Sequence, residues 1–382
     1  MSDIQTDVLI IGGGLVGCAV SYFLAVRGIE SLVVDRGQFN REASGRNAGS
    51  LHMQMRPDEL QWEPAAQREL VAHKKAAMEL WETLESELDL DFGVKLGGGY
   101  LYAETDADFE TAARLVEVQN ALGVEAELLR VNEARERCPA LSSRLKGVAY
   151  SSVDGMADTL AMGPAFMKKA VEKGARTKPC TSIAALERAA SGGFIATDQH
   201  GERIVCRRLV NAAGPWAPDV ASLLGHRIVM SSALIQAAVT ERRPRIVGEL
   251  LQNIGGGLTM KQMANGTFLI GGGWPGTRLE GATTTVTLES LEGNLGLAIR
   301  VIPQLADSNL VRCWTGVIPH ALNRYGQRTQ IFGELADEPG FFILTGGALV
   351  TLGPLFAQLM AELIATGSTS LPLTYQRPEL FI

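Results

Sequence analysis

The chain has 382 residues, of which 46% are hydrophobic and 20% charged, and its formal net charge is −7. This length exceeds one ordinary hydrophobic core and predicts two domains, while the charge argues against nucleic acid or an anionic membrane surface as partner. The five cysteines are scattered without a C-x-x-C pair, which argues against a disulfide framework and a zinc site and indicates a cytoplasmic protein.

The N-terminal part of the chain is typical of a strand, a glycine turn, a helix and a second strand. Residues 8–11 are an apolar run of the kind a buried parallel strand requires, so we expect no signal peptide here. Gly12, Gly14 and Gly17 fit G-x-G-x-x-G, which allows a tight turn, the approach of a pyrophosphate and close helix packing. Asp35 closes the second strand, where a carboxylate accepts hydrogen bonds from a ribose. The unit predicts a dinucleotide site; Asp35 argues against NADP and leaves NAD and FAD open.

The remaining elements follow from apolar periodicity and turn residues, and no apolar run is long enough to span a membrane. We predict a polar glycine-rich loop (37–54), an amphipathic helix (60–90), a strand (97–104), a helix (106–122), a loop leading into a helix (153–175), three strands at hairpin spacing (181–187, 193–197, 203–214), a hairpin turning at Asn265-Gly266, and a strand, glycine loop and apolar helix (340–367).

Strand–loop–helix units occur at both ends of the chain and in its middle, which predicts an interleaved α/β architecture. Residues 1–56, 145–215 and 316–382 would build one Rossmann-like, discontinuous domain. Residues 57–144 and 216–315 would build a second, α+β domain that carries an antiparallel sheet and binds substrate.

Three further motifs separate the two cofactors: RLVNAAGPWAPDVASLLG at 208–225, EASGRNAG at 42–49, and the glycine loop before Pro354. In this order they resemble the D-amino-acid oxidase, glycine oxidase and sarcosine oxidase superfamily of FAD-dependent oxidoreductases. ASGRNAGSLHMQ with LIGGGW is most similar to the flavin B subunits of heteromeric opine (octopine and nopaline) oxidases and related amine dehydrogenases. The resemblance implies a two-dinucleotide-binding-type domain that holds FAD, noncovalently, rather than NAD.

The resemblance also implies which residues contact FAD. The set comprises Gly12, Gly14, Leu15, Val16 and Gly17 at the pyrophosphate; Asp35 and Arg36 at the adenosine ribose; Ser44, Arg46, Asn47, Ala48 and Gly49 toward the ring; Ile183, Ala212, Ala213 and Gly214 near adenine; and Gly346, Gly347, Leu352 and Gly353 near the pyrimidine oxygens. An alternative for Gly346 and Gly347 is an ordinary strand-to-helix turn. We interpret Trp216 as core packing.

The substrate side departs from the family pattern. Simple amino-acid oxidases of the family usually carry an arginine two residues after W-x-G, which pairs with the substrate carboxylate. Here that position is Ile318, which cannot bind a carboxylate. The departure favours a larger amine with its carboxylates held elsewhere. The candidates are His52, Arg56, Lys261 and Arg324, with Trp274 as a wall; a solvated charge, or core packing for Trp274, is the alternative for each.

The implied reaction is FAD-dependent oxidation of a C–N bond in a secondary amine or amino acid, with an opine such as octopine or nopaline as the predicted substrate. A hydride would pass to flavin N5 and water would hydrolyse the imine, so no side chain is assigned as acid or base. The resemblance implies a second flavoprotein subunit and an iron–sulfur subunit or domain as partners. The alternatives are an oxidase or dehydrogenase of glycine, sarcosine or D-hydroxyproline, a non-catalytic flavin subunit for electron relay, and a nicotinamide dehydrogenase.

Overall fold

A computed structural model describes residues 3–279 and 284–381. Its helices are α1 Leu15–Val26, α2 Pro64–Leu88, α3 Asp106–Ala121, α4 Val131–Arg137, α5 Thr159–Glu172, α6 Ala217–Ser222, α7 Leu288–Val301 and α8 Gly353–Thr366. Its strands are β1 Ile4–Ile11, β2 Ser31–Val34, β3 Ser50–Leu51, β4 Lys95–Leu96, β5 Gly99–Ala103, β6 Glu127–Arg130, β7 Gly147–Ser151, β8 Gly155–Met156, β9 Arg176–Lys178, β10 Ile183–Arg188, β11 Phe194–Asp198, β12 Arg203–Asn211, β13 Ser231–Arg242, β14 Leu250–Asn253, β15 Thr259–Gln262, β16 Thr267–Gly271, β17 Thr277–Arg278, β18 Thr284–Thr285, β19 Leu310–Leu322, β20 Arg328–Glu334 and β21 Phe341–Gly346.

Five strands form a parallel layer in the order β9-β2-β1-β12-β21, and β20 adds to its edge antiparallel to β21. Ile11 is level with Val34 of β2 and with Asn211 of β12, and Asn211 is level with Ile343 of β21. The carboxyl ends of these strands therefore meet at one edge of the sheet. In open α/β sheets this edge is where ligands bind.

Strand β1 is buried on both faces, which explains its unbroken apolar run. Val8 and Ile10 pack into a cluster with α1, α5 and α8, whereas Leu9 and Ile11 pack into a second cluster formed by β10–β12, α6 and the C-terminal residues. The four residues 8–11 are each at most 7% exposed. Alternate side chains of one strand thus join two separate cores.

The helix predicted over 60–90 is observed as α2, which packs on the helices that cover the parallel layer. It packs on α8 and α5, and its Leu84 and Leu88 are fully buried. The indole N–H of Trp81 donates to the carbonyl of Thr351 over 2.8 Å, which fixes the loop before α8.

The second layer is an antiparallel array in the order β6-β7-β5-β14-β15-β16-β13-β19, in which only the β5–β14 pair is parallel among the described strands. Its longest pairing is β13–β19, which keeps one register from Ser231 opposite His320 to Val239 opposite Arg312. The end of β19 pairs with β20, so the two layers share one continuous sheet. Helices α4 and α7 cover its outer core.

The predicted mixed α/β fold with an antiparallel sheet is confirmed, as are the hairpins of β10–β12 and the one that turns at Asn265-Gly266. The domain boundaries stay a prediction. Strand β7, inside the range 145–215, pairs with β5 and β6, and β19 crosses the boundary between residues 315 and 316. Within the described ranges, no helix is both long and apolar enough to cross a bilayer.

Candidate functional site

A groove of about 510 Å³ runs along the carboxyl ends of β1, β2, β12 and β21. It brings together thirteen of the residues predicted to contact the cofactor. These are Gly12, Gly14, Val16, Asp35, Arg36, Ser44, Asn47, Ile183, Ala212, Ala213, Gly214, Gly346 and Gly347. Residues from five distant parts of the chain thus line one surface.

The glycine turn of this groove has no room for side chains. A Cβ atom on Gly12, where φ is +114°, would overlap the carbonyl of Ala212, and one on Gly17 would overlap the carbonyl oxygen of Gly12. The N–H of Leu15, at the start of α1, donates to Ser44 Oγ over 3.0 Å. The turn therefore packs on the backbone of β12, and the Ser44 side chain ties the loop after β2 to the N-terminus of α1.

Asp35 is held at the end of β2 by two backbone donors. Its Oδ2 accepts the N–H of Gly13 over 2.7 Å and its Oδ1 accepts the N–H of Gly37 over 2.8 Å. A carboxylate oxygen keeps further acceptor capacity after one such bond, so Asp35 can also accept from a ribose hydroxyl. Beside it the Arg36 guanidinium lies 3.8 Å from the ring centre of Trp216. Trp216 lines the groove, which corrects its interpretation as core.

The loop 42–49 is attached to β19 through Arg46. The Arg46 guanidinium donates to the carbonyl of Thr315 over 3.2 Å, and the Arg46 carbonyl accepts the indole N–H of Trp314 over 2.9 Å. Arg46 and Ala48 line a second cavity and not the groove. Arg46 therefore positions the loop.

Four of the predicted contact residues, Leu15, Gly17, Gly49 and Gly353, line neither cavity. Leu15 and Gly17 are buried in α1. Gly49, with φ +74°, passes so close to the carbonyl of Ala157 that a Cβ would overlap it, and Gly353 packs against Leu15 and Val16. Leu352, 1% exposed, lines the second cavity. These residues support the residues that line the two cavities.

The second cavity, of about 690 Å³, adjoins the groove. The two share one stretch of wall, which we call the junction. The junction residues are Ala43, Asn47, Ser50, His52, Arg56, Val317, Ile318, Ala348 and Thr351. Ile318, which replaces the expected carboxylate-binding arginine, is thus at the place where the two spaces meet.

His52 lies at the junction as a neutral imidazole. Burial, together with the charges of Lys261, Lys74 and Arg56, lowers the pKa of His52 to about 3. Its backbone N–H donates to Thr351 Oγ1 over 3.1 Å, and its Nδ1 has no partner among the described residues. A neutral ring that lines the junction can contact a bound ligand without placing a charge there.

The backbone that follows His52 is fixed by a fully buried carboxylate. Asp154 Oδ1 accepts the N–H groups of Met53 and Gln54 over 2.7 and 3.0 Å, and its Oδ2 accepts the side-chain amide of Gln54 over 2.9 Å. Burial raises the pKa of Asp154, although these donors oppose the shift. The segment that carries His52 and Arg56 is therefore rigid.

Three of the candidate substrate residues lie outside both cavities. Lys261 is 1% exposed and donates to Ser50 Oγ over 2.8 Å, so it reaches the junction through that hydroxyl. Trp274 turns away because its indole N–H donates to the carbonyl of Gly257 over 2.7 Å. Arg324 is exposed and bonds to the hydroxyl of Tyr325.

Several polar residues of the second cavity were not predicted from the sequence. Examples are Gln54, Gln236, His320 and Arg328. Gln236 is 1% exposed and its Nε2 has no acceptor among the described residues. The sequence does contain a signal for His320 and Arg328. The polar stretch 323–326 between two apolar runs indicates a hairpin turn, and this turn places both residues near Ile318. No comparable signal marks the two glutamines.

The cofactor that the sequence implies, FAD, fits the groove on its chemistry. A dinucleotide needs a side-chain-free turn at a helix N-terminus for its pyrophosphate, and Gly12 and Gly14 supply one. It needs a ribose acceptor, which Asp35 supplies. The groove then continues past Asn47 to Gly347, so its far end reaches the junction. Gly12, Gly14, Asp35, Asn47 and Gly347 would hold FAD, which would supply a hydride acceptor.

Comparison with known proteins agrees with this geometry. The sequence model of the family described as "DAO: FAD dependent oxidoreductase" matches residues 7–363. The chain is similar to the B subunit of opine oxidase from Rhizobium meliloti, at 27% identity over 95% of this chain and 94% of the relative. It is 25% identical to glycine oxidase of Geobacillus kaustophilus over 96% and 95% of the two chains. The fold is also that of L-proline dehydrogenase from P. horikoshii, with a TM-score of 0.86 at 24% identity, covering 99% and 98%.

Proposed function

This chain belongs to the DAO family of FAD-dependent oxidoreductases, and we propose that it oxidises a C–N bond in a secondary amine of the opine class, such as octopine or nopaline. An opine joins an amino acid through its nitrogen to the carbon of a keto acid. Oxidation at that carbon and hydrolysis of the imine release the amino acid and the keto acid.

The observation that best supports the proposal is the second cavity, whose wall includes Ile318. A volume of about 690 Å³ is that of a site for ligands larger than glycine or sarcosine. Ile318 removes the arginine that a simple amino acid would use for its carboxylate. The similarity to the opine oxidase B chain, along 95% of this chain, supports the same substrate class.

When bound in the groove, FAD supplies the hydride acceptor for the oxidation. The chain's own residues prepare the substrate at the junction. Ile318 and Val317 give an apolar wall that excludes water, and the neutral imidazole of His52 offers a ring nitrogen for a hydrogen bond to the amine or a carboxylate. Ser50 Oγ, which accepts from Lys261, keeps its own proton for a second such bond.

We further propose that electrons leave through partner subunits, a second flavoprotein and an iron–sulfur subunit or domain. The relative from Rhizobium meliloti is, by its name, one subunit of a larger opine oxidase. Within the described residues no group of His, Cys, Asp or Glu could hold a metal ion. We also propose a cytoplasmic location, which the absence of cysteine pairing in the described residues supports.

An anaerobic absorption spectrum of the FAD-loaded chain, taken before and after addition of single amines, tests the proposal. Octopine and nopaline should bleach the flavin band, whereas glycine, sarcosine and hydroxyproline should leave it unchanged. Bleaching by the simple amino acids alone would contradict the opine proposal and favour an oxidase of the glycine type. A protein that no amine reduces, alone or with an artificial electron acceptor, would contradict amine oxidation by this chain.

A further inference from the structure

We propose that Arg328 is the carboxylate-binding arginine of this enzyme, in place of the position held by Ile318, and that it selects amines with a second carboxylate away from the oxidised carbon. The inference rests on the proposed amine oxidation at the junction. It names a specificity residue and a substrate class, N-(carboxyalkyl) amino acids with two carboxylates.

The first argument is the position of Arg328. Ile318 lines both the groove and the second cavity, whereas Arg328 lines the second cavity alone. Ile318 lies on β19 and Arg328 is the first residue of β20, across the hairpin. A carboxylate bound by Arg328 therefore lies farther from the cofactor groove than one bound at position 318.

The second argument is that the backbone of Arg328 is held in place. Arg328 pairs with Leu322 in the β19–β20 ladder. Asn323, 3% exposed, closes the turn between the strands: its Nδ2 donates to Gln327 Oε1 over 2.9 Å and its Oδ1 accepts the N–H of Gln327 over 3.0 Å. A second bond from Nδ2, to the carbonyl of Tyr375 over 3.1 Å, ties the turn to the C-terminal segment. The arginine is thus set on a rigid hairpin.

The third argument is the balance of charge in the second cavity. Lys74 pairs with Glu59 over 3.0 Å. Arg56 pairs with Asp58 over 3.0 Å and with Glu59 over 3.2 Å. These four residues sum to zero charge. The Arg328 side chain makes no hydrogen bond or ion pair with any residue that the structure describes. Arg46, which also lines the cavity, lies 3.7 Å from a carboxylate oxygen of Glu42. Among the described residues of the cavity wall, Arg328 is therefore the cation without an acidic partner, and an incoming anion can neutralise it.

The neighbours of Arg328 reinforce that assignment. Burial and the charges of Arg328 and Arg56 lower the pKa of His320, so this ring is neutral and does not compete for the anion. Arg328 also lowers the pKa of Asp58, although Arg56 is the stronger influence on that carboxyl. Arg328 and Arg56 thus face the same pair of groups, and a ligand that reaches Arg56 at the junction also comes within the field of Arg328.

The experiment compares Arg328→Gln with Arg324→Gln in the FAD-loaded enzyme. Arg324 is the matched control because it lies on the same hairpin, is also exposed and carries the same charge, yet lines neither cavity. Two substrates are used: octopine, with two carboxylates, and N-(4-guanidinobutyl)alanine, which keeps the carboxylate on the oxidised carbon and lacks the carboxylate of the arginine part.

Because an arginine–carboxylate pair is a strong, charge-assisted contact, R328Q should raise the KM for octopine by about 10- to 100-fold and leave kcat within about twofold. The KM for N-(4-guanidinobutyl)alanine should stay unchanged in R328Q, and the KM values for both substrates should stay unchanged in R324Q. Arg328→Lys should restore part of the affinity for octopine, since it keeps the charge but loses the bidentate geometry. Equal, small effects of R328Q and R324Q would make Arg328 a solvated charge and overturn the inference.

Binding without turnover separates this inference from the proposed function. Titration calorimetry on the FAD-loaded protein uses an octopine analogue in which a methyl group replaces the hydrogen on the oxidisable carbon. If no amine reduces the flavin, but the analogue binds and R328Q alone weakens it, the anion site stands while amine oxidation fails. If octopine is oxidised, but R328Q binds the analogue as tightly as R324Q does, the proposed function stands and the assignment of Arg328 is wrong.

Discussion

The groove and the second cavity are built by opposite means. The groove is made mostly of backbone: Gly12 and Gly17 are glycines because any Cβ would overlap a main-chain carbonyl, and Asp35 is held by main-chain N–H groups. The second cavity is made of side chains, with Glu59, Lys74 and other polar groups buried in its wall. Few sequences can form a wall of closely packed backbone, whereas many different sequences can form a wall of side chains. Cofactor binding is therefore visible as a motif and substrate choice is not.

The largest expected effect comes from placing one methyl group in the backbone-built region. In Gly17→Ala the new Cβ overlaps the carbonyl oxygen of Gly12, and both atoms belong to the packed turn between β1 and α1. We expect loss of bound FAD and destabilisation of more than about 3 kcal/mol, measured as the flavin-to-protein absorbance ratio and the Tm. The control is Gly37→Ala, where the Cβ lies 3.7 Å from Asp35 Oδ1. Full FAD content in G17A would show that the turn tolerates side chains.

The next effect concerns the side-chain-built region. Lys74 donates to Glu59 over 3.0 Å and to the carbonyl of Gln54 over 2.9 Å, and both charged residues are at most 5% exposed. Removing one partner of a buried pair costs about 3–5 kcal/mol, so Lys74→Met should lower the free energy of unfolding by about 2–4 kcal/mol, since Arg56 still faces Glu59. Urea unfolding measures the loss. Lys75→Met, at the next position of α2, should change it by less than about 0.5 kcal/mol; equal losses in the two variants would contradict a special role of the pair.

A smaller effect tests the ribose acceptor. In Asp35→Asn one of the donors, Gly13 N–H or Gly37 N–H, faces an NH₂ group instead of an oxygen. Hydrogen bonds to a charged group contribute about 1.5–3 kcal/mol, so D35N should weaken FAD binding by about 10- to 100-fold in a fluorescence titration of the apoprotein. Asp219→Asn removes an equal charge from an exposed residue that lines the same groove and should change the affinity by less than about threefold. Equal losses of FAD affinity in D35N and D219N would assign the effect to the removal of a negative charge and contradict a specific role of Asp35.

The smallest effect is a pH dependence of the folding stability, and it comes from Lys261, which donates to the junction residue Ser50. Burial lowers the pKa of Lys261 from 10.5 to about 7, so between pH 7 and 10 the unfolded chain binds a proton that the folded chain does not. Stability therefore rises with pH through this window, and below pH 7 the folded state carries the full cost of the buried ammonium. The wild type should gain about 1–2 kcal/mol relative to Lys261→Met between pH 6.5 and 8.5. Parallel pH profiles of the wild type and K261M would mean that Lys261 keeps its charge, and exposed Lys168→Met serves as the control.

The sequence predicts most of the backbone-built region, for a physical reason. Buried parallel strands require apolar runs, and Gly12, Gly14 and Asp35 must stand where the turn and the ribose need them. The hairpin at Asn265-Gly266 follows in the same way, because its residues accept the required backbone angles. Such features depend on residues that are close in the chain.

The sequence does not predict what depends on distant partners. The long β13–β19 pair joins residues about eighty positions apart, and no local pattern specifies that pairing. Trp274 was placed at the cavity wall, but the carbonyl of Gly257 turns its ring away. The sequence does not mark Arg328 as a cavity residue either, because its position in the second cavity results from the register of the β19–β20 hairpin. A side chain becomes functional here only through its tertiary neighbours.

Strand β20 has a consequence for protein engineering. Arg328 begins the strand at the second cavity, and two residues later Gln330 donates from Nε2 to the carbonyl of Gly347 in the glycine loop over 2.7 Å. Gln330 itself lines the second cavity. A chimera that exchanges the substrate side of this enzyme with that of a relative cannot cut the chain inside β20 without also reshaping the loop beside the cofactor. The exchangeable module has to end beyond Gln330, so that the β19–β20 hairpin is transplanted whole.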